Sequence, residues 1–317
     1  MKENNSNNNL SLIKNLNSQL KPNFSKISEK LDMSRQTIKR KLTKLREEKI
    51  ISNFTINIHP NTKPNLKYIL LEIKTNPKEP KMVEKLLQIP QLKMLDGIFG
   101  EFSLIALFIF KTSAEFNEIL NLIDNIMSNS YFKKYQITEI IKVYKTNGIE
   151  LSKRNLNDYI IDHIDQIILE ILENSQSKKL ISTYDINRIL NKNYNLYVSQ
   201  STIYNRIRKL EDNHIILNYS ITFNPKKIGF NGKFIVRIKP KDPSKYNEIA
   251  LKLENKPEIT HLYRIGAQFG IFAVIRTYNI EDYGNFIRDL YITEEIEDTF
   301  TNFVLDEQIL FTNFIVG

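Results

Sequence analysis

Ser199-Gln200-Ser201-Thr202-Ile203-Tyr204-Asn205-Arg206-Ile207-Arg208-Lys209-Leu210-Glu211 decides how the rest of the chain reads. Wound as a helix, it gathers Ile203, Ile207 and Leu210 on one stripe at i, i+4, i+7 spacing. Gln200, Ser201, Tyr204, Asn205 and Arg208 fall on the opposite, open face. Ser199 stands at the N-cap position, where its hydroxyl accepts from an N–H of the first turn. Aliphatics behind and hydrogen-bonding side chains in front are what a helix lying in a DNA major groove requires. The pattern also occurs earlier: Ser34-Arg35-Gln36-Thr37-Ile38-Lys39-Arg40-Lys41-Leu42-Thr43-Lys44-Leu45 buries Ile38, Leu42 and Leu45 and presents Arg35, Gln36, Lys39 and Arg40. From Ser34 to Ser199 the offset is 165 positions.

Moving outward, Leu10, Leu12, Ile13, Leu16 and Leu20 trace an amphipathic helix, Pro22 stops it, and Ser25 to Leu31 reads as a second short helix. A tight turn at Asp32-Met33 leads into the Ser34 helix, and Ile50 to Ile58 alternates as a half-buried strand. Three helices with that short turn make a helix-turn-helix. The following residues read β-α-β-β-α-β, the order of a ferredoxin-like sandwich with four antiparallel strands and two helices on one face. After a polar connector the plan restarts. The expected division is a disordered Asn-rich tail over 1–9, helix-turn-helix 1 over 10–58, sandwich 1 over 67–147, a linker over 148–158, helix-turn-helix 2 over 159–223 and sandwich 2 over 229–317.

The repeat holds register. At the offset of 165, Leu31/Leu196, Thr37/Thr202, Ile38/Ile203, Leu45/Leu210, Ile50/Ile215, Ile51/Ile216, Pro60/Pro225, Ile73/Ile238 and Lys74/Lys239 are identical. In the central hairpin the offset becomes 167, pairing Phe102/Phe269 and Ala106/Ala273. Matching over so long a window points to an internal duplication.

Composition bounds the function classes. A chain of 317 residues accommodates two to four domains. The net charge of +9 suits an anionic partner, of which nucleic acid is the commonest. With no cysteine, thiolate nucleophiles, disulfides and Cys-ligated zinc are excluded. No apolar run is long enough to span a bilayer and the N-terminus is not a signal peptide, so a cytoplasmic protein with no membrane partner is expected.

The ordered set Ile161-Asp162-x-x-Asp165-x-x-x-Leu169, Ser199-x-x-Thr202-Ile203-x-x-Arg206-Ile207-x-x-Leu210-Glu211, Ile215-Ile216 and Asn224-Pro225-x-x-x-Gly229 resembles the Lrp/AsnC family of transcription regulators. The resemblance runs over essentially the whole chain, twice. The first copy is the weaker one, with no paired aspartates and Lys41 where the second has Arg206. It implies an α+β chain of two winged-type helix-turn-helix domains, each followed by a ferredoxin-like βαββαβ module called RAM. Family members pair two chains through these modules. The resemblance therefore implies a fused pseudo-dimer that binds double-stranded DNA with recognition helices roughly 34 Å apart, and further homo-oligomers are compatible with it. Base and backbone contacts fall to Arg35, Gln36, Lys39, Arg40, Gln200, Ser201, Tyr204, Asn205 and Arg208. Any effector is expected to act through the RAM modules.

For the effector, the family has Gly-x-x-Asp in the central hairpin. Here the corresponding positions are Gly100 to Ser103 and Ala267 to Gly270, so the aspartate is absent from both. That counts against an amino-acid effector and leaves open another small molecule or none. His59, His163, His214 and His261 show no ligand spacing, and no metal or cofactor is expected. His261-x-Tyr263-Arg264 resembles a motif of siroheme decarboxylases, which share the architecture. A tetrapyrrole enzyme is therefore the alternative to a non-enzymatic regulator, together with a ligand-sensing assembly module whose heads no longer bind DNA.

Overall fold

The computed structural model describes residues 2–17, 21–62, 66–76, 79–156, 159–174 and 180–316. In chain order these form α1 (Lys2–Leu16), α2 (Phe24–Lys30), α3 (Arg35–Glu47), β1 (Ile51–Ile58), β2 (Lys67–Ile73), α4 (Pro80–Leu87), β3 (Leu92–Ile98), β4 (Leu104–Phe110), α5 (Ser113–Ser128), β5 (Tyr135–Thr146) and β6 (Ile149–Glu150). They continue with α6 (His163–Glu173), α7 (Thr183–Tyr194), α8 (Gln200–Asp212), β7 (Ile216–Phe223), β8 (Gly232–Pro240), α9 (Tyr246–Glu254), β9 (Ile259–Ile265), β10 (Ile271–Thr277), α10 (Ile280–Ile292) and β11 (Ile296–Glu307). Local chemistry sets the helix starts. Asn23, Ser34, Thr112 and Ser199 cap with a side-chain oxygen, and Asp162/Asp165, Ser182/Asp185 and Asn279/Asp282 form reciprocal capping boxes.

Two compact units result. One holds Met1–Thr62, Leu151–Ile228 and Phe311–Gly317; the other holds Lys63–Glu150 and Gly229–Leu310. Both three-helix segments thus share a unit, as do both βαββαβ segments, so the serial division does not describe how the chain packs.

In the first unit β1 pairs antiparallel with β7, placing Thr55 opposite Ser220 and Phe54 opposite Ile221. Thr55 and Ser220 are themselves 165 positions apart. The strand that ends each helix-turn-helix segment finds its partner in the other segment, because a lone strand leaves its N–H and C=O groups unpaired. Packing crosses in the same way: α6 lies on β1 and α1 on β7. Ile56 of β1 enters the core of Ile168, Leu172, Ile186, Ile203, Leu210 and Tyr219. Asn17, beyond the end of α1, accepts from the Ser220 hydroxyl and the Ile221 N–H, and Thr55 donates to the Glu173 carbonyl at the end of α6.

Three boundaries differ from the sequence expectation. The 1–9 segment was read as a tail, but α1 reaches back to Lys2, since Asn is only mildly unfavourable within a helix nucleated by Leu12, Ile13 and Leu16. The 148–158 linker begins with β6, which extends β5 while Ile149 and Leu151 are buried. The last strand ends at Glu307, and Phe311 onward returns to the first unit. There Thr312 bridges to Phe223 through two backbone bonds, and buried Phe314 meets the Phe223 ring edge-on. Leu20 and residues 157–158 lie outside the described residues.

In the second unit, each βαββαβ segment has the ferredoxin-like strand order, β5-β2-β4-β3 and β11-β8-β10-β9. They do not remain separate sandwiches. Edge strand β3 pairs with β11, and β9 with β5, so eight strands among the described residues close into an antiparallel ring that leaves those edges paired. Alternation along each strand separates two faces. Ile69, Leu71 and Ile73 of β2 pack beneath Met82, Leu86, Ile123 and Met127 of α4 and α5, whereas Leu70 joins Ile235, Phe272 and Val274 inside the ring.

The interior also carries charge, and the two halves differ in it. Glu72 and Arg237, 165 positions apart, meet at 2.6 Å with both side chains nearly buried. The β3–β11 junction sets Asp96 opposite Glu307, where Lys233 lies 2.7 Å and 3.2 Å from their carboxylates and Arg276 binds Glu307 at 2.5 Å. The matching β9–β5 junction sets Tyr263 opposite Val143. Burial alone raises both acids. For Asp96 burial prevails and its pKa is raised, whereas Lys233 and Arg276 outweigh it at Glu307 and hold that carboxyl at about 2.

Removing one partner of the Glu72–Arg237 pair strands a charge. Arg237→Met alone is expected to cost about 3–5 kcal/mol, while Glu72→Met/Arg237→Leu together come back close to wild type. Denaturant unfolding of the three proteins measures this. Acid titration supplies a second check on the interior. Glu307 titrates below its unfolded value of 4.5, so the stability it contributes is present above that value and is lost as pH falls towards about 2; Glu307→Gln removes that part of the pH dependence.

Candidate nucleic-acid interface

Helices α3 and α8 start in the same way. Ser34 and Ser199 have φ, ψ of −63°, 151° and −64°, 153°, and their hydroxyls accept from the N–H groups of Thr37 and Thr202 at 3.0 Å and 3.1 Å. Ile38, Leu42 and Leu45 are buried on α3, as are Ile203, Ile207 and Leu210 on α8. Residues after both helices, Lys49 and His214, adopt left-handed φ of 55° and 56° before the chain enters β1 and β7. Matching caps, matching stripes and matching exits put equivalent positions of the two helices on equivalent faces.

All nine residues read from the sequence as DNA contacts are exposed: Arg35, Gln36, Lys39 and Arg40 on α3, and Gln200, Ser201, Tyr204, Asn205 and Arg208 on α8. They are not equally available. Arg208 lies 3.3 Å from Glu211, which also accepts from the buried Tyr219 hydroxyl at 2.6 Å. The turns into the helices differ too. Before α3, Asp32 adopts φ 49° and the Met33 N–H bonds the Ser28 carbonyl; before α8, Asn195 adopts φ 55° and Asn187 holds the Val198 carbonyl at 2.6 Å.

The sequence pattern did not assign a role to the pair Asp162/Asp165 or to Arg206, and the structure does. Arg206 Nη1 donates to Asp162 at 2.7 Å and to Asp165 at 2.9 Å, tying α8 to the start of α6. Asp165 is fully buried and also accepts from Tyr159 at 2.8 Å, which with burial pushes that phenol up to about 12. The three residues hold α8 in place. The spacing Asp162-x-x-Asp165 was the available signal, because it is both a capping box and a pair of carboxylates that one guanidinium nitrogen can bridge.

In the RAM segments, Ser103 exchanges hydrogen bonds with the backbone of Thr75, and Gly100 has φ 143°. At the second hairpin Arg264 covers Gly270: a Cβ there would fall 1.7 Å from Arg264 Nη1, which donates to the Gly270 carbonyl at 2.7 Å and stacks over Tyr246 at 3.7 Å. Ala267 is exposed. The four residues named for an effector therefore sit in two unlike environments. Of the histidines, His59 accepts from the Asn61 N–H. His261 is pushed down to about 3, first by burial and then by Lys233, Arg276 and Lys145. No group of three or more His, Asp or Glu suited to a metal occurs among the described residues. No helix among them is long and apolar enough to cross a membrane.

Comparison with known proteins accounts for this arrangement. Residues 233–312 match the Lrp/AsnC ligand binding domain. The HTH-type transcriptional regulator FL11 of Pyrococcus furiosus is 33% identical over 146 residues, 46% of this chain and 90% of that protein. The chain belongs to the Lrp/AsnC family. A second family relative, the HTH-type transcriptional regulator Ptr1 of Methanocaldococcus jannaschii, is 31% identical over 41% of this chain and 81% of its own length. The crystal structure of the siroheme decarboxylase NirDL aligns over 95% of this chain and 91% of its own with a TM-score of 0.61 and 11% identity, a likeness of fold alone.

The Arg206 lock makes a differential prediction. Arg206→Ala is expected to lower stability on the order of 2–3 kcal/mol by leaving Asp165 short of a charged donor. The equivalent Lys41→Ala, at a position without that lock, should change it by less than about 0.5 kcal/mol. Thermal unfolding of the two variants decides the point.

Proposed function

We propose that this chain is a sequence-specific DNA-binding transcription regulator that carries both halves of a family dimer in one polypeptide. The observation that carries the reading is the first unit itself. Two helices with equal caps and equal buried stripes, each exposing hydrogen-bonding side chains, are joined through a β1–β7 ribbon whose pairing centres on Thr55 and Ser220. A twofold relation between two heads is what a DNA duplex with two half-sites selects for. The names of the relatives, HTH-type transcriptional regulators, agree with it. The lysines of α3 neutralise phosphates, and Arg35, Gln36 and Arg40 together with the polar side chains of α8 reach base edges. A small-molecule effector at the RAM modules is part of the proposal, with its chemistry unassigned.

The whole-chain likeness to a siroheme decarboxylase favours a second reading, in which the ring holds a tetrapyrrole. Alternation along β9 speaks against it. His261 and Tyr263 face into the ring, with Tyr263 fully buried, while Arg264 points to the other face and is spent on Tyr246 and two carbonyls. The three residues do not converge on one site.

Binding of the full chain to duplex DNA tests the reading. Arg40→Ala/Asn205→Ala is expected to weaken binding to a selected site at least about tenfold while changing binding to random duplex much less. Equal losses on both duplexes would reduce those side chains to phosphate contacts. Failure of the wild type to bind at low salt, with a shifted absorbance band on adding a tetrapyrrole, would favour the enzyme.

A further inference from the structure

We infer that the two heads read different bases: α3 selects guanine, and α8 selects adenine and thymine, so that the preferred site is asymmetric. The inference rests on the proposal that the chain binds duplex DNA, and goes beyond it by assigning the chemistry of each half-site. Because α3 and α8 leave nearly identical N-caps, the exposed positions 35, 36, 39 and 40 correspond to 200, 201, 204 and 205. Arg, Gln, Lys and Arg in the first head face Gln, Ser, Tyr and Asn in the second.

Those sets suit different base edges. A guanidinium has donors and no acceptor, which matches the two acceptors O6 and N7 of guanine. A carboxamide has one of each and matches N6 and N7 of adenine, while an aromatic ring offers apolar contact to the thymine methyl. Gln36 can take adenine within the first half-site and Ser201 accepts either base, so Arg35 and Arg40 against Gln200, Tyr204 and Asn205 set the contrast.

A second, independent observation points the same way. The guanidinium groups of α8 are already engaged, Arg206 by Asp162 and Asp165 and Arg208 by Glu211. Arg35 and Arg40 have no ion-pair partner among the described residues. The first head keeps Arg35 and Arg40 open to a ligand while Arg46 packs over Phe54; the second uses Arg206 and Arg208 to hold itself together and presents amides and a phenol instead.

Selection of the full-length chain on a randomised duplex pool, followed by sequencing, reads both half-sites at once. The expected motif has guanines in one half-site and A·T pairs in the other. Arg35→Lys/Arg40→Lys keeps the charge but loses the fork, so it should blur the guanine positions at least about tenfold, leave the A·T half-site sharp and leave the salt dependence unchanged. Gln200→Ala/Asn205→Ala should do the reverse. A motif with the same bases in both half-sites, or loss of the A·T preference in the lysine variant, overturns the assignment while the regulator reading stands. A pool with no enriched motif overturns both.

Discussion

A β-strand cannot be left with its backbone groups unpaired inside a fold, and in this chain the strands at stake find partners across the two copies. Strand β1 follows the first head and pairs with β7, which follows the second. Strands β3 and β5 edge one ferredoxin-like segment and pair with β11 and β9 of the other. Every one of these contacts joins residues far apart in sequence. Neither segment of a unit completes its own hydrogen bonding, so the two segments of each unit form one cooperative structure.

Two βαββαβ segments within one chain need not be identical, and the interior records that freedom. Glu72 and Arg237 occupy equivalent positions and attract each other; identical residues there would place like charges in contact. Asp96, Lys233, Arg276 and Glu307 surround one junction of the ring, whereas at the other Tyr263 faces Val143 and Lys145 is buried. The same divergence appears at the surface, where α3 is rich in open cations and α8 is tied by Arg206 to the capping box of α6. A chain whose halves must differ to fit each other is suited to a site whose halves differ as well.

Much of this was legible in the sequence, for physical reasons. Period 3.6 and Ser caps marked α3 and α8, and alternation marked β1 and β7. Pairing between copies was not legible, because alternation states which face of a strand is buried and not which strand lies beside it. The strand that ends each helix-turn-helix segment therefore belongs to a ribbon shared by both. Residues 311–317 follow the last strand in sequence and were therefore assigned to sandwich 2; Thr312 and Phe314 instead meet Phe223, whose location depends on the β1–β7 pairing. For the candidate site, exposure followed the helical pattern, whereas the engagement of Arg206 and Arg208 depended on carboxylates from other turns of the chain.

The central claim is that one chain supplies both halves of a DNA-binding dimer. Native mass spectrometry of the full-length protein on a selected duplex with two half-sites about one helical turn apart tests it directly. The account predicts one chain per duplex, with both half-sites protected. Two chains per duplex, each protecting a single half-site, would contradict it.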